Sequence, residues 1–132
     1  MSGYVLVVDD QFAVRFFLQQ VLQEYGYRVK LAASGGECLS LAVAAERPGL
    51  ILLDQRMPAM TGIQVLSRLS QDERTRDIPV IMMSAQADFV AEAHRLGVRE
   101  VLAKPLDVEV LIHAVREALK EFEAPLSEEQ PH

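Results

Sequence analysis

Leu50-Ile-Leu-Leu-Asp54 is a run of four apolar residues closed by one carboxylate, and three further stretches repeat that form. Val5-Leu-Val-Val8 runs into Asp9 and Asp10, Val80-Ile-Met-Met83 into Ser84, and Val101-Leu-Ala103 into Lys104. A continuous apolar run bounded by polar residues is the pattern of a parallel strand buried on both faces. In open α/β sheets, ligands bind just beyond the carboxyl ends of such strands. Three acids, a hydroxyl and an amine are therefore expected to meet in one crevice.

Between these runs lie helical patterns of about a dozen residues, the alternation expected of βα units wound onto a parallel sheet. Five units can be counted. In the first helix Val14, Phe17, Leu18, Val21, Leu22 and Tyr25 recur at three-and-four spacing and are expected to face the core, with Gly26 as the stop. Residues 28–32 alternate polar and apolar, as an edge strand does. Ser34 with Glu37, and Thr61 with Gln64, have the spacing of capping boxes that open the second and third helices. The third helix is expected to reach about Gln71 and the fourth to cover residues 87–96, while Asp107 has the position of an N-cap for the fifth. That last helix is expected to bury Val108, Leu111, Ile112, Val115, Leu119 and Phe122.

The chain has 132 residues, half of them hydrophobic and a quarter charged, which suits a single globular domain over residues 1–123. Residues 124–132, with two prolines and two glutamates, read as a disordered tail. A net charge of −6 argues against a nucleic-acid-binding face or an anionic membrane surface as partner. No apolar stretch approaches the roughly 20 residues that span a bilayer. Cys38 is the single cysteine, so no internal disulfide can form, and the N-terminus lacks a basic and apolar leader pattern. A reduced, cytoplasmic protein is expected.

Carboxylates brought to about 4 Å repel by about 4 kcal/mol per pair at an effective dielectric near 20, so three of them call for a counter-ion or a raised pKa. Mg²⁺ suits the position: it takes oxygen ligands, needs few of them from protein, and completes its octahedron with water and phosphate oxygens. Asp54, central in the sheet, is then placed as a nucleophile that forms an acyl phosphate, with Lys104 and Ser84 orienting the transferring oxygens. Each residue has a plainer reading when taken alone. Asp9 and Asp10 could be a helix cap and its neighbour, Ser84 a core hydroxyl, and Lys104 a surface lysine before a proline. Four strand ends agreeing is what favours the joint reading.

Together, Asp9-Asp10, Asp54 with Met57-Pro58 and Gly62, Ser84-Ala85 and Lys104-Pro105 closely resemble the receiver domain of bacterial two-component response regulators, over residues 4–122. The resemblance implies a flavodoxin-like, doubly wound five-stranded parallel sheet in the order 2-1-3-4-5 with five helices. It also implies phosphoryl transfer to Asp54 from a phosphohistidine on a sensor histidine kinase. Mg²⁺ would be held directly by Asp10, Asp54 and the backbone carbonyl of Arg56, with Asp9 acting largely through water. Lys104, Ser84 and the N–H of Ala85 would bind the phosphoryl group, and the Lys104-Pro105 peptide would be cis. One departure stands out: the aromatic residue that family members commonly carry three before the lysine is Val101 here. A β-branched side chain has no ring to relocate, so output through a docking surface is expected instead of an aromatic switch.

Val8-Asp-Asp-Gln-Phe-Ala-Val-Arg15 and the Glu46-Arg-Pro48 turn further resemble the single-domain sporulation phosphorelay intermediates, which pass phosphoryl groups to a histidine phosphotransferase. Such proteins dock through the first helix, where Gln11, Phe12, Arg15 and Phe16 fall off the core stripe. Phe12 and Phe16 suit an exposed anchor, or alternatively fold under a loop. Arg56 also matches a basic residue of that subgroup and is placed to shield an acyl phosphate from water. A chemotaxis-type regulator that acts by binding a target is the nearest alternative. An aspartyl-phosphate phosphatase needs a second acid two residues after the nucleophile, where this chain has Arg56. A flavin carrier needs a phosphate-binding loop after the first strand, where Asp9 and Asp10 stand. His94 and His113 lack metal-ligand spacing and read as ordinary helix residues. Met57, Met60, Met82 and Met83 read as packing, and Cys38 as a small buried hydrophobe.

Overall fold

The computed structural model describes residues 3–122, with the side chains of residues 121 and 122 excepted. Its centre is a parallel sheet of β1 (Tyr4–Val8), β2 (Val29–Ala32), β3 (Pro48–Asp54), β4 (Val80–Ser84) and β5 (Glu100–Ala103), in the spatial order β2-β1-β3-β4-β5. Every residue of β1, β3 and β4 is buried, which is why those strands carry unbroken apolar runs. Edge strand β2 is only partly covered and keeps its alternation. Five helices follow the strands: α1 (Phe12–Glu24), α2 (Gly35–Ala42), α3 (Gly62–Gln71), α4 (Val90–Arg95) and α5 (Val108–Phe122).

Alternate residues of each strand feed two cores. Tyr4, Leu6, Ile51, Leu53 and Met82 pack with Cys38 of α2, Val65 and Leu69 of α3, and Ala93 of α4. Val5, Val7, Leu50, Leu52 and Met83 pack with Leu18 and Leu22 of α1 and with Leu111, Ile112 and Val115 of α5. The sheet is thus covered on both faces, by α2, α3 and α4 on one and by α1 and α5 on the other. Register then sets the strand ends side by side. Val8 stands opposite Leu53, Asp54 opposite Met83, and Ser84 opposite Ala103.

Caps account for the starts of α2, α3 and α5. Thr61 and Gln64 form a complete capping box. Ser34 accepts from the N–H of Glu37, but the Glu37 carboxylate reaches one residue further back, to the N–H of Ala33. Asp107 Oδ1 accepts from the N–H groups of Glu109 and Val110. Gly26, at φ +92°, and Gly97, at φ +91°, turn the chain after α1 and α4 in the left-handed region where a side chain would be strained. The Glu46-Arg-Pro48 turn is tied down by charge, Glu46 pairing with Arg28 and Lys30, and Arg47 with Asp77.

The fold corrects four details of the sequence reading. Phe17 and Tyr25 do not face the core: both are exposed, because the buried stripe of α1 narrows to Leu18, Val21 and Leu22 with Val14 at its margin, and the chain is already turning at Tyr25. Helix α4 begins at Val90 rather than at residue 87, since no side chain caps its start and residues 88–89 form a turn. Strand β3 begins at Pro48, a first-strand position where a missing N–H costs little. Val108 is only partly buried. Phe122, as a core side chain, and the tail at 124–132 lie outside the described residues. Cys38 is fully buried as expected, and burial pushes its thiol up to about 12. Met57, Met82 and Met83 are buried, while His94 and His113 sit exposed on helix surfaces.

Candidate functional site

Beyond the carboxyl ends of β1 and β3, one oxygen from each of Asp9, Asp10 and Asp54 lies within 4.8 Å of the others. Asp9 and Asp54 are buried, and Asp10 is exposed. Lys104, carried by the turn after β5, reaches across the sheet to both buried acids, with Nζ 3.0 Å from Asp9 Oδ2 and 2.7 Å from Asp54 Oδ1. The Lys104-Pro105 peptide is cis. Asp9 is fixed a second time, its Oδ1 accepting from the N–H of Gln11 at 2.9 Å. Asp10 takes no hydrogen bond or ion pair among the described residues.

One ammonium group does not balance three carboxylates. Burial pushes the Asp54 carboxyl above its ordinary range, and the charges of Asp9 and Asp10 push the same way, against the hydrogen bond and charge of Lys104. Burial also works against the Lys104 cation, yet its contacts with Asp54 and Asp9 outweigh that and hold its pKa above the usual value. The centre is therefore short of positive charge. Its donors are all oxygens, gathered on one side of a cleft, and they fit Mg²⁺ better than a soft transition metal.

That cleft, about 300 Å³, is lined by Gln11, Asp54, Arg56, Ala85, Gln86 and Lys104. The Arg56 guanidinium donates to the side-chain carbonyl of Gln86, so the pair spans the mouth from the β3 side to the β4 side. The backbone N–H of Ala85 has no acceptor among the described residues. Ser84 is buried at the end of β4, and its hydroxyl accepts from the N–H of Gln86 at 3.0 Å. It opens on a neighbouring groove of about 380 Å³ that includes Val101, rather than on the cleft itself. The structure thus gathers Asp9, Asp10, Asp54 and Lys104 directly, with Arg56 and Ala85 on the cleft wall and Ser84 one step behind it.

Three features escaped the sequence reading. Gln86 belongs to no motif, and only its placement two residues after Ser84 could have drawn notice. Gln55 caps α3 through a hydrogen bond from the N–H of Ile63, so the residue after Asp54 anchors the helix that follows. Ala59 has φ +68°, a strained conformation for a non-glycine residue in the loop between Asp54 and α3.

On α1, Phe12 is 70% exposed and Phe16 50% exposed. Their rings stack with centroids 6.1 Å apart, which settles the open choice in favour of an exposed aromatic pair rather than residues folded under a loop. Beside them Ala13, Val14, Phe17, Pro105 and Leu106 line an apolar groove that ends at Lys104. Among the described residues, no helix is long and apolar enough to cross a membrane.

A family model described as the response regulator receiver domain matches residues 5–116. Sporulation initiation phosphotransferase F of Bacillus subtilis is 38% identical over 122 residues, covering 90% of this chain and 95% of that protein. Protein PilH of Pseudomonas aeruginosa is 32% identical over 117 residues, covering 87% of this chain and 96% of that protein. Among solved structures, the chemotaxis protein CheY4 of Vibrio cholerae superposes with a TM-score of 0.83 at 30% identity, covering 90% of this chain and all of that one.

Proposed function

The chain belongs to the response regulator receiver family of two-component signalling, and from that premise we propose that Asp54 accepts a phosphoryl group from a phosphohistidine of a sensor histidine kinase. The observation that carries this reading is the under-neutralised carboxylate triad around a buried, central Asp54. Asp9, Asp10 and Asp54, with the backbone carbonyl of Arg56, would hold Mg²⁺. When bound, that ion supplies charge neutralisation for the acids and for the incoming phosphoryl oxygens.

The side chains have separate tasks. Asp54 presents an oxygen to phosphorus; as the P–O bond to Asp54 forms, the bond to the donor imidazole breaks and its electron pair stays on the leaving nitrogen. Lys104 stands where it can follow the phosphoryl oxygens, and the unpaired N–H of Ala85 points to the same task. The Ser84 hydroxyl, now held by the Gln86 N–H, would join them once that contact is released. The chain is then a phospho-accepting signalling protein that assists its own phosphorylation, rather than an enzyme that turns over a separate substrate.

The test is incubation with acetyl phosphate, with and without Mg²⁺, followed by intact mass. One added phosphoryl group is expected in wild type with Mg²⁺ only, and none in Asp54→Asn. Labelling of Asp54→Asn to the same extent would defeat the assignment.

Docking through α1 follows from access. Gln11 lines the cleft that opens on Asp54, and Phe12, Arg15 and Phe16 follow it on α1, so a donor that reaches Asp54 comes close to this helix. Exposed aromatics with an Arg between them are strong candidates for interface energy. Phe12→Ala is expected to slow kinase-driven labelling at least tenfold while leaving labelling by acetyl phosphate within twofold. Equal slowing with both donors would count against the docking role. The same face would serve onward transfer to a histidine phosphotransferase, and a relay role gains support from the name of the Bacillus relative. Free-standing action by binding a target, as in chemotaxis-type regulators, is the alternative; recovery of label on a histidine phosphotransferase domain separates the two. Arg56, bonded to Gln86 across the mouth, stands in the path of attacking water. Arg56→Asn should shorten the lifetime of the phosphorylated form by several-fold, measured as loss of the added mass over time.

A further inference from the structure

We propose that Arg15 is a positioning residue for the cation site, fixing the backbone from which Asp10 reaches the cation. The inference rests on reading Asp9, Asp10 and Asp54 as that site. Asp9 is held from two directions, by the Gln11 N–H and by Lys104. Asp10 is exposed and has no such hold among the described residues, so its place within 4.8 Å of the other two acids depends on the backbone that carries it. The peptide that leads into Asp10 carries the carbonyl of Asp9, and Arg15 Nη1 donates to that carbonyl at 2.8 Å. Because the peptide is planar, a bond to this carbonyl restrains the ψ of Asp9 and the φ of Asp10 together, and with them the direction in which the Asp10 Cβ leaves the chain.

Arg15 is well placed for the task. It rises from the first turn of α1, is half-buried, and its guanidinium carbon lies 5.9 Å from the centroid of the Phe12 ring, which stacks in turn on Phe16. A planar cation held between a carbonyl and an aromatic face has little freedom left to lose. The aromatic face of α1 is thereby connected, through one guanidinium, to the loop bearing two of the three acids.

The positioning role makes a prediction opposite in sign to simple charge. Removing a positive charge near a cation site should tighten Mg²⁺ binding, whereas removing a support for a ligand should weaken it, commonly by tenfold or more for groups that orient metal ligands. Calorimetric titration of Mg²⁺ into wild type, Arg15→Met and Arg15→Lys separates the two, alongside thermal unfolding of each in EDTA. Expected are a Kd roughly five- to tenfold weaker for Arg15→Met, recovery of at least half of that loss in Arg15→Lys, and unfolding temperatures within about 3 °C of wild type. Unchanged or tighter binding by Arg15→Met, with normal uptake by wild type, overturns the role of Arg15 alone. Loss of affinity that tracks a large fall in unfolding temperature in both variants marks general loosening and overturns it as well. Absence of Mg²⁺ uptake by wild type overturns the cation site itself, and this inference with it.

Discussion

Lys104→Met is expected to lower the unfolding temperature of the metal-free protein by roughly 6 to 10 °C, and millimolar Mg²⁺ should recover most of the loss. Asp9 and Asp54 are buried, and among the described residues Lys104 is the cation within ion-pair distance of both. Taking away one partner of a buried charge pair leaves the other uncompensated, which costs about 3 to 5 kcal/mol when burial is complete. The Lys104 side chain keeps 22% exposure, and solvent screening there reduces the cost to about 2 kcal/mol. A divalent ion in the triad then replaces the missing charge. Differential scanning calorimetry in EDTA and in Mg²⁺ reads both halves. A variant as stable as wild type in EDTA would mean that the acids do not depend on the lysine for neutralisation.

Gly62→Ala should destabilise the fold by about 3 kcal/mol and disturb the acceptor together with it. Gly62 opens α3 against the end of β3, and a Cβ there would stand 2.6 Å from the carbonyl oxygen of Asp54, 2.7 Å from Met82 Cε and 2.9 Å from the Cα of Gln55. The methionine tip can move, but two of these neighbours are backbone of the strand end that presents the Asp54 carboxylate. Helix α3 must retreat or that strand end must shift, and the Gly62 N–H would lose its 3.0 Å bond to the Gln55 carbonyl. Gly36→Ala is the matched control. Its Cβ would meet nothing closer than Ser34 Oγ at 4.0 Å, so a neutral or slightly positive effect is expected there. Urea unfolding of the two variants, with Mg²⁺ titration of each, tests the contrast; similar stability for both would show that the strand end yields easily.

The sheet and the triad were legible because each depends on a local and redundant signal. Three strands buried throughout announce themselves as apolar runs. The run at Val101–Ala103 turns out to be an edge strand with only Leu102 buried, and the strand order was implied by the family resemblance rather than by the runs themselves. Given that order, the strand ends bring Asp9, Asp54 and Lys104 together. What the sequence left open depends on the width of a contact, which periodicity does not encode. Phe17 lies on the three-and-four stripe of α1 but beyond the margin the sheet covers. Helix α4 has the composition of a longer helix but no cap to hold its first turn. The partnership of Arg56 with Gln86, thirty residues apart, and the turn of Arg15 onto the Asp9 carbonyl are tertiary choices among many that long side chains could make. The contact of the Ser84 hydroxyl with the Gln86 N–H is likewise visible only once the loop has its shape.

Asp54 is a buried carboxylate short of positive charge until a cation arrives. Folding raises the pKa of Asp54 chiefly through burial, so the acid form is the one the fold favours. Its contribution to stability is present at low pH and is lost as the pH climbs through the raised value, leaving the ionised group a net cost at neutral pH. The direct measurement is the unfolding temperature of wild type and Asp54→Asn at pH 7.5, each in EDTA and in Mg²⁺. In EDTA the variant is expected to melt higher than wild type, since it sheds a repelled, desolvated charge while Lys104 keeps Asp9. Mg²⁺ at tenfold its Kd should add about 1.4 kcal/mol to wild type and little to the variant, closing or inverting the gap. A wild type that already melts above Asp54→Asn in EDTA, with no response to Mg²⁺, would contradict that reading of Asp54.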